Sequence, residues 1–135
     1  MEKKEKDYFK AKVNKAVATA HIGYNLLKDG GNDVDDSVRI FSVWIIYNPG
    51  SKRHPEGKEI KCGEVRLDMD KEVFINYCFE GDKTLSARFD NVDEIIKFLQ
   101  GVIDVVREKG DGDSDMVVRF LGDDTEIPVC HNKEE

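Results

Sequence analysis

From Val38 to Tyr47 the chain reads Val-Arg-Ile-Phe-Ser-Val-Trp-Ile-Ile-Tyr, with β-branched or aromatic residues at both odd and even positions. Successive side chains of a strand point to opposite faces, so apolar residues on both parities call for cover on both sides. The segment therefore predicts a strand at the centre of its sheet. Asn48-Pro49-Gly50 ends it, and the loop through Lys58 carries Lys52, Arg53, His54, Pro55 and Gly57, all residues of irregular connections.

Three runs with a period of two follow. Glu59 to Met69 puts Val65, Leu67 and Met69 on one face and Glu64, Arg66 and Asp68 on the other. Glu72 to Phe79 is expected to point Val73, Ile75, Tyr77 and Phe79 inward, with Phe74, Asn76 and Cys78 opposite. Thr84 to Phe89 puts Leu85, Ala87 and Phe89 inward. For the inward sets of these last two strands to share a face, paired residue numbers must sum to an even value. That predicts a loop of three or five residues around Glu80-Gly81-Asp82-Lys83, not a two-residue turn.

Helical periodicity flanks this region. Asn91 with Glu94 three residues on is a capping-box pattern, and Val92, Ile95, Ile96, Leu99, Val102, Ile103 and Val106 form an apolar stripe that ends before Gly110. Near the N-terminus Phe9, Val13, Ala16, Val17, Ala20, Tyr24 and Leu27 mark a second amphipathic helix, stopped by Asp29-Gly30-Gly31. A last strand is expected from Met116 to Leu121. The order α-β-β-β-β-α-β is an α+β fold: an antiparallel meander sheet of four to five strands packed on one amphipathic helix. The 135 residues read as a single domain, with residues 1–29 as N-terminal helix, 37–127 as sheet plus helix core and 128–135 as a frayed tail. The first strand, apolar on both parities, favours the N-terminal helix as cover for the second sheet face, a placement that competes with an open arginine-bearing face for one surface.

With 39% hydrophobic and 36% charged residues, the composition excludes low-complexity and fully disordered classes. No apolar run approaches the roughly 18 residues of a membrane helix, and no secretory leader pattern follows Met1, so a cytoplasmic protein without membrane contact is expected. Cys62, Cys78 and Cys130 lack CxxC spacing and read as reduced thiols. Pairing Val65 with Ile75 places Cys62 opposite Cys78, a pair that Cys130 and His131 could complete as metal ligands, but structural zinc sites take ligands from tight knuckles, so no metal and no cofactor is expected. Asp111, Asp113 and Asp115 alternate as in a calcium loop, yet Met116 and Gly122 stand where the EF-hand needs glycine and glutamate. No nucleophile with a neighbouring histidine and no glycine-rich phosphate loop is evident, and the chain is expected not to be an enzyme.

Two sets of charges remain. Four of the six arginines fall one to a strand, and Arg66, Arg88 and Arg119 share the face opposite the inward one. With Phe74, Asn76, Thr84 and Ser86 beside them and Lys52 and Arg53 at one end, they could form a platform for a nucleotide or a nucleic-acid strand. The plainer reading is a wet sheet face whose arginines pair with Glu64 and Asp68. The order of four strands and then a helix resembles in outline the Whirly type of single-strand-binding fold, a likeness of topology that implies strand binding. The formal charge of -7 argues against a dedicated duplex-DNA binder.

The leading expectation is a small, acidic, non-enzymatic inhibitor of another macromolecule, by class analogy with bacterial immunity proteins and phage-encoded inhibitors of defence nucleases. Asp33, Asp35 and Asp36, together with Asp111, Asp113, Asp115, Asp123 and Asp124, would meet a protein partner's basic surface and steer the encounter. A nucleotide or single-strand module on the arginine face is the alternative. A further one is a structural or adaptor subunit that self-associates through the N-terminal helix, the chain being expected as a monomer or as a homodimer through that helix.

Overall fold

Helix α1 (Lys3–Asp29) leads into a meander of β1 (Ser37–Tyr47), β2 (Lys58–Asp68), β3 (Val73–Glu80) and β4 (Lys83–Phe89). Helix α2 (Val92–Lys109), β5 (Asp115–Phe120) and β6 (Glu126–Pro128) follow. The computed structural model describes residues 3–110, 112–123 and 126–128. One antiparallel sheet takes all the strands in the order β4-β3-β2-β1-β5-β6, so β1 is internal, as its sequence requires. At about 1.5 Å per residue, the 18 residues of α2 span about 27 Å. That is enough to carry the chain back across the four strand spacings, roughly 19 Å, between β4 and β5.

Local signals set the helix ends. Asn91 Oδ1 accepts the Glu94 N–H at 3.0 Å, while Glu94 Oε1 reaches back to the Asp90 N–H at 2.6 Å, a reciprocal cap displaced by one residue from the sequence expectation. Gly31, with φ at +81°, turns the chain out of α1 while the Asn32 N–H bonds to the Leu27 carbonyl.

Both helices lie on the same face of the sheet. The buried stripe Phe9, Val13, Ala16 and Ala20 of α1 joins Ile95, Ile96, Leu99 and Ile103 of α2 over Phe41, Val43, Val65, Leu67, Phe74, Met116, Val118 and Phe120. The Phe9 ring sits 6.4 Å from Phe120, and Arg107 of α2 holds Glu5 of α1 through two bonds of 2.9 and 2.6 Å. The sequence expectation placed α1 on the other face, and the reason it fails is width. A helix is about 10 Å across and roofs about two strand spacings, so a six-stranded sheet needs both helices on one side.

The β3 expectation also reverses. Glu80 pairs directly with Lys83 across the two-residue turn Gly81-Asp82, and Val65 pairs with Asn76, not Ile75. This register turns Phe74, Asn76 and Cys78 toward the helices and Val73, Ile75, Tyr77 and Phe79 to the opposite face. Cys78 accordingly faces Gly63, and Cys62 is the extra residue of a bulge between the Val43–Gly63 and Trp44–Lys61 pairs. Pro128, the first residue of the tail expected to fray, lies opposite Val117 in β6, a strand absent from the sequence expectation, and residues 129–135 lie outside the described residues. Cys130 and His131 lie outside the described residues.

Candidate functional site: the open sheet face

With both helices on one side, no helix among the described residues covers the other face of the sheet. The register places Ser42, Trp44 and Ile46 of β1, Val117 and Arg119 of β5, Lys61, Glu64 and Arg66 of β2, Ile75, Tyr77 and Phe79 of β3, and Ser86 and Arg88 of β4 upon it. Trp44 and Ile46, the apolar residues of β1 on this face, are thus half-buried there without a helix of the described residues packed over them.

A linked set of contacts fixes this surface. The Trp44 Nε1–H donates to Ser42 Oγ at 2.8 Å, and the Arg119 guanidinium carbon lies 4.8 Å from the centre of the Trp44 ring. Arg119 also pairs with Glu59 at 3.2 Å. Glu64, only 7% exposed, lies between Lys61 and Arg66, and Arg66 Nη1 donates to it at 2.9 Å. Arg66 continues the chain through Nε to Ser37 Oγ and through Nη2 to the Ser37 carbonyl, both at 2.7 Å. The Lys61 ammonium lies 5.8 Å from the Phe79 ring centre. Burial pushes the Glu64 carboxyl up, but hydrogen bonds from Lys61 and Arg66 outweigh it and hold the group below its ordinary range.

The predicted arginines are distributed as follows. Arg66 and Arg88 flank Ile75 in one cross-strand row, and Arg39 faces Arg66 at its end. Arg119 stands apart beside Ser42, and Arg88 holds Asp90 at 2.9 Å. Phe74 and Asn76, expected among these arginines, face the helices, and Ile75 and Tyr77 take their places. The residues missed as surface features are Tyr77, Phe79 and Ile75. The signal that could have found them is Gly81-Asp82 between two alternating runs, a two-residue hairpin pattern.

The predicted acidic surface divides. Asp113 accepts the backbone N–H groups of Lys52 and Arg53 at 2.6 and 3.2 Å, and Asp115 accepts from Asn48 Nδ2 at 3.1 Å. The acidic loop thereby fastens the basic one. Asp35 accepts the Ser37 N–H at 2.9 Å and Asp36 the Tyr24 hydroxyl at 2.7 Å, which raises the Tyr24 pKa. Asp123 holds Lys12 at 2.5 Å and raises the pKa of that ammonium. Asp33 is exposed, and Asp111 and Asp124 lie outside the described residues. The two groups flank opposite ends of the 11-residue β1, about 30 Å apart. No single acidic patch gathers them.

On the helix side, a cleft of about 370 Å³ is lined by Ile45, Cys62, Val102, Val106 and Met116, with Arg53 and Lys109. Burial pushes the Cys62 thiol up, and its Sγ–H donates to the Val43 carbonyl at 3.4 Å, so it stays protonated and weakly nucleophilic at neutral pH. No group of three or more His, Cys, Asp or Glu among the described residues sits together as metal ligands. No helix among them is long and apolar enough to cross a membrane.

Neither a family model nor a curated protein nor a solved structure matches this chain. Its class is defined by the fold itself, an α+β domain with two helices on one side of an antiparallel sheet and an aromatic, arginine-bearing face on the other.

Proposed function

We propose that the protein is a non-enzymatic binding protein that occupies a surface of a protein partner through the open face of its sheet. The observation that carries this reading is the half-buried set Trp44, Ile46, Ile75, Tyr77 and Phe79 on the uncovered face. Aromatic residues and arginine are the groups enriched at the energetic centres of protein interfaces. Trp44, Arg119 and Arg66 are held before any partner arrives, by the Trp44–Ser42, Arg119–Trp44 and Lys61–Glu64–Arg66 contacts. A preordered surface loses less side-chain entropy on association. The acidic ends of β1 contribute long-range steering rather than contact, since Asp35, Asp36, Asp113 and Asp115 are engaged within the chain. Inhibition of an intracellular target, of the immunity-protein or anti-defence kind, is the form of this activity that fits the small acidic chain.

The test uses a photo-crosslinking residue at Tyr77 and, in a second chain, at Lys97 on α2, each in cells that carry the protein. A partner cross-linked from Tyr77 and not from Lys97 is the expected result. Equal cross-linking from both, or from Lys97 alone, excludes the open face as the binding surface.

A second reading rests on the Arg39–Arg66–Ile75–Arg88 row. Arg39 stands opposite Arg66, whose own charge is met by Glu64, and a phosphate bound beside Arg39 and Arg88 would add an anion to this row. Fluorescence anisotropy with a labelled single-stranded oligonucleotide, compared with Arg39→Ala, distinguishes this anion-binding module from the protein-binding one.

A further inference from the structure

The two edges of the sheet are built differently. At one edge β6, described over Glu126–Pro128, includes Pro128, which has no N–H to offer a neighbour. Proline is a device that keeps an edge from pairing with another chain. At the other edge β4 runs for seven residues in unbroken register with β3, without proline or bulge, and Lys83 through Arg88 are exposed. On its helix side Leu85 is 58% exposed and Ala87 is exposed beside it. Near the far end of β4, Phe98 of α2 meets Phe89 with ring centres 5.5 Å apart.

We propose that β4 is a self-association edge, at which a second copy of the chain adds its own β4 antiparallel and joins the two sheets into one. Register supports this occupant over an arbitrary strand. A two-fold axis through an antiparallel junction keeps both helix layers on the same side only when paired residue numbers sum to an even value. The register centred on Ser86 satisfies that condition and pairs all seven residues. It sets Leu85 opposite the partner's Ala87 on the helix side, Thr84 opposite the partner's Arg88 and Lys83 opposite the partner's Phe89. Apolar meets apolar, and no like charges face each other. The edge thus complements itself. This interface leaves the open face bare and is independent of the partner assigned to it, although in the dimer the open faces of both copies become continuous.

Sedimentation equilibrium of the full chain tests the proposal. The wild type is expected at twice the 15.4 kDa of one chain at the highest soluble concentration. Leu85→Lys places an inward-pointing charge at the edge and is expected to weaken the dimer roughly tenfold or more. Because Leu85 is exposed in the single chain, that variant keeps the wild-type circular dichroism, and its melting temperature equals that of the wild type at a dilution where the single chain prevails. In Ser86→Cys the two introduced thiols meet at the axis, where opposed Cα atoms lie about 4.5–5.5 Å apart, within disulfide range. Mild oxidation then links two chains at position 86, and Leu85→Lys in the same chain suppresses the link. A wild type of single mass overturns the proposal. So does a dimer whose stability Leu85→Lys leaves unchanged, or whose introduced thiols stay unlinked.

Discussion

Asp113 accepts the backbone N–H of Lys52 at 2.6 Å across 61 residues of sequence, and the N–H of Arg53 at 3.2 Å with its second oxygen. One carboxylate thus satisfies two donors of the loop between β1 and β2, which has no ladder to satisfy them. Asp113→Ala is expected to destabilise the chain by about 1–2 kcal/mol, the value of hydrogen bonds to a charged group at a partly wet site. Urea denaturation measures the loss. Faster amide exchange at Lys52 and Arg53, with β3 and β4 unaffected, localises it.

Glu64 makes the pH dependence of this fold specific. Burial alone would raise its pKa, yet Lys61 and Arg66 bring the folded value below the ordinary one. A depressed carboxyl contributes stability that is complete above the unfolded pKa, about 4.3, and is lost as pH falls through the folded value. Stability is therefore expected to decline below about pH 4.3. Glu64→Gln removes the charge that Lys61 and Arg66 share and is expected to cost about 1–3 kcal/mol at pH 7. It is also expected to flatten the acid limb. Thermal melts of both chains from neutral to acid pH read the two effects together, and parallel acid limbs would assign the pH dependence elsewhere.

The sequence carries the helices and the central strand clearly because those signals are local: the Asn91–Glu94 cap, the stripe from Val92 to Val106, and the apolar run from Val38 to Tyr47. The facing of β3 is not local. Val73, Ile75, Tyr77 and Phe79 form a more apolar set than Phe74, Asn76 and Cys78, and hydrophobicity alone selects them for the core. The hairpin geometry decides otherwise, since Gly81-Asp82 fixes an odd sum between β3 and β4, and Asn76 is buried at 6% exposure with its Nδ2 3.6 Å from Cys78 Sγ. The same slip of one residue hid the candidate site. Hydrophobicity alone puts Tyr77 and Phe79 in the core, away from the surface on which they lie.

That turn can be probed directly. Gly81, the first central residue, has φ at +61°, and glycine there with an ordinary second residue is the type II′ pattern that suits a hairpin's twist. A Cβ at Gly81 meets no atom within 4 Å, so Gly81→Ala adds backbone strain without a clash. The expected cost is about 1–2 kcal/mol, read by chemical denaturation. In the single chain it falls on the β3–β4 hairpin, whose amides are expected to lose exchange protection before those of β1.

Arg119 and Trp44 provide a spectroscopic handle on the open face, because Trp44 is the chain's one tryptophan. The guanidinium covers one side of the ring at 4.8 Å while the indole N–H is held by Ser42 at 2.8 Å. Arg119→Ala uncovers the ring, and its emission is expected to shift to the red and to quench more readily with acrylamide. The stability cost should be about 1 kcal/mol, the scale of a partly exposed cation–π contact. Arg119→Lys separates charge from shape. It retains the positive charge facing Glu59 but loses the planar stack. If the cover on Trp44 comes from the stacked plane, Arg119→Lys reproduces most of the alanine spectrum. An unchanged spectrum in both variants would mean that the ring is shielded by its strand neighbours Val117 and Lys61 rather than by Arg119.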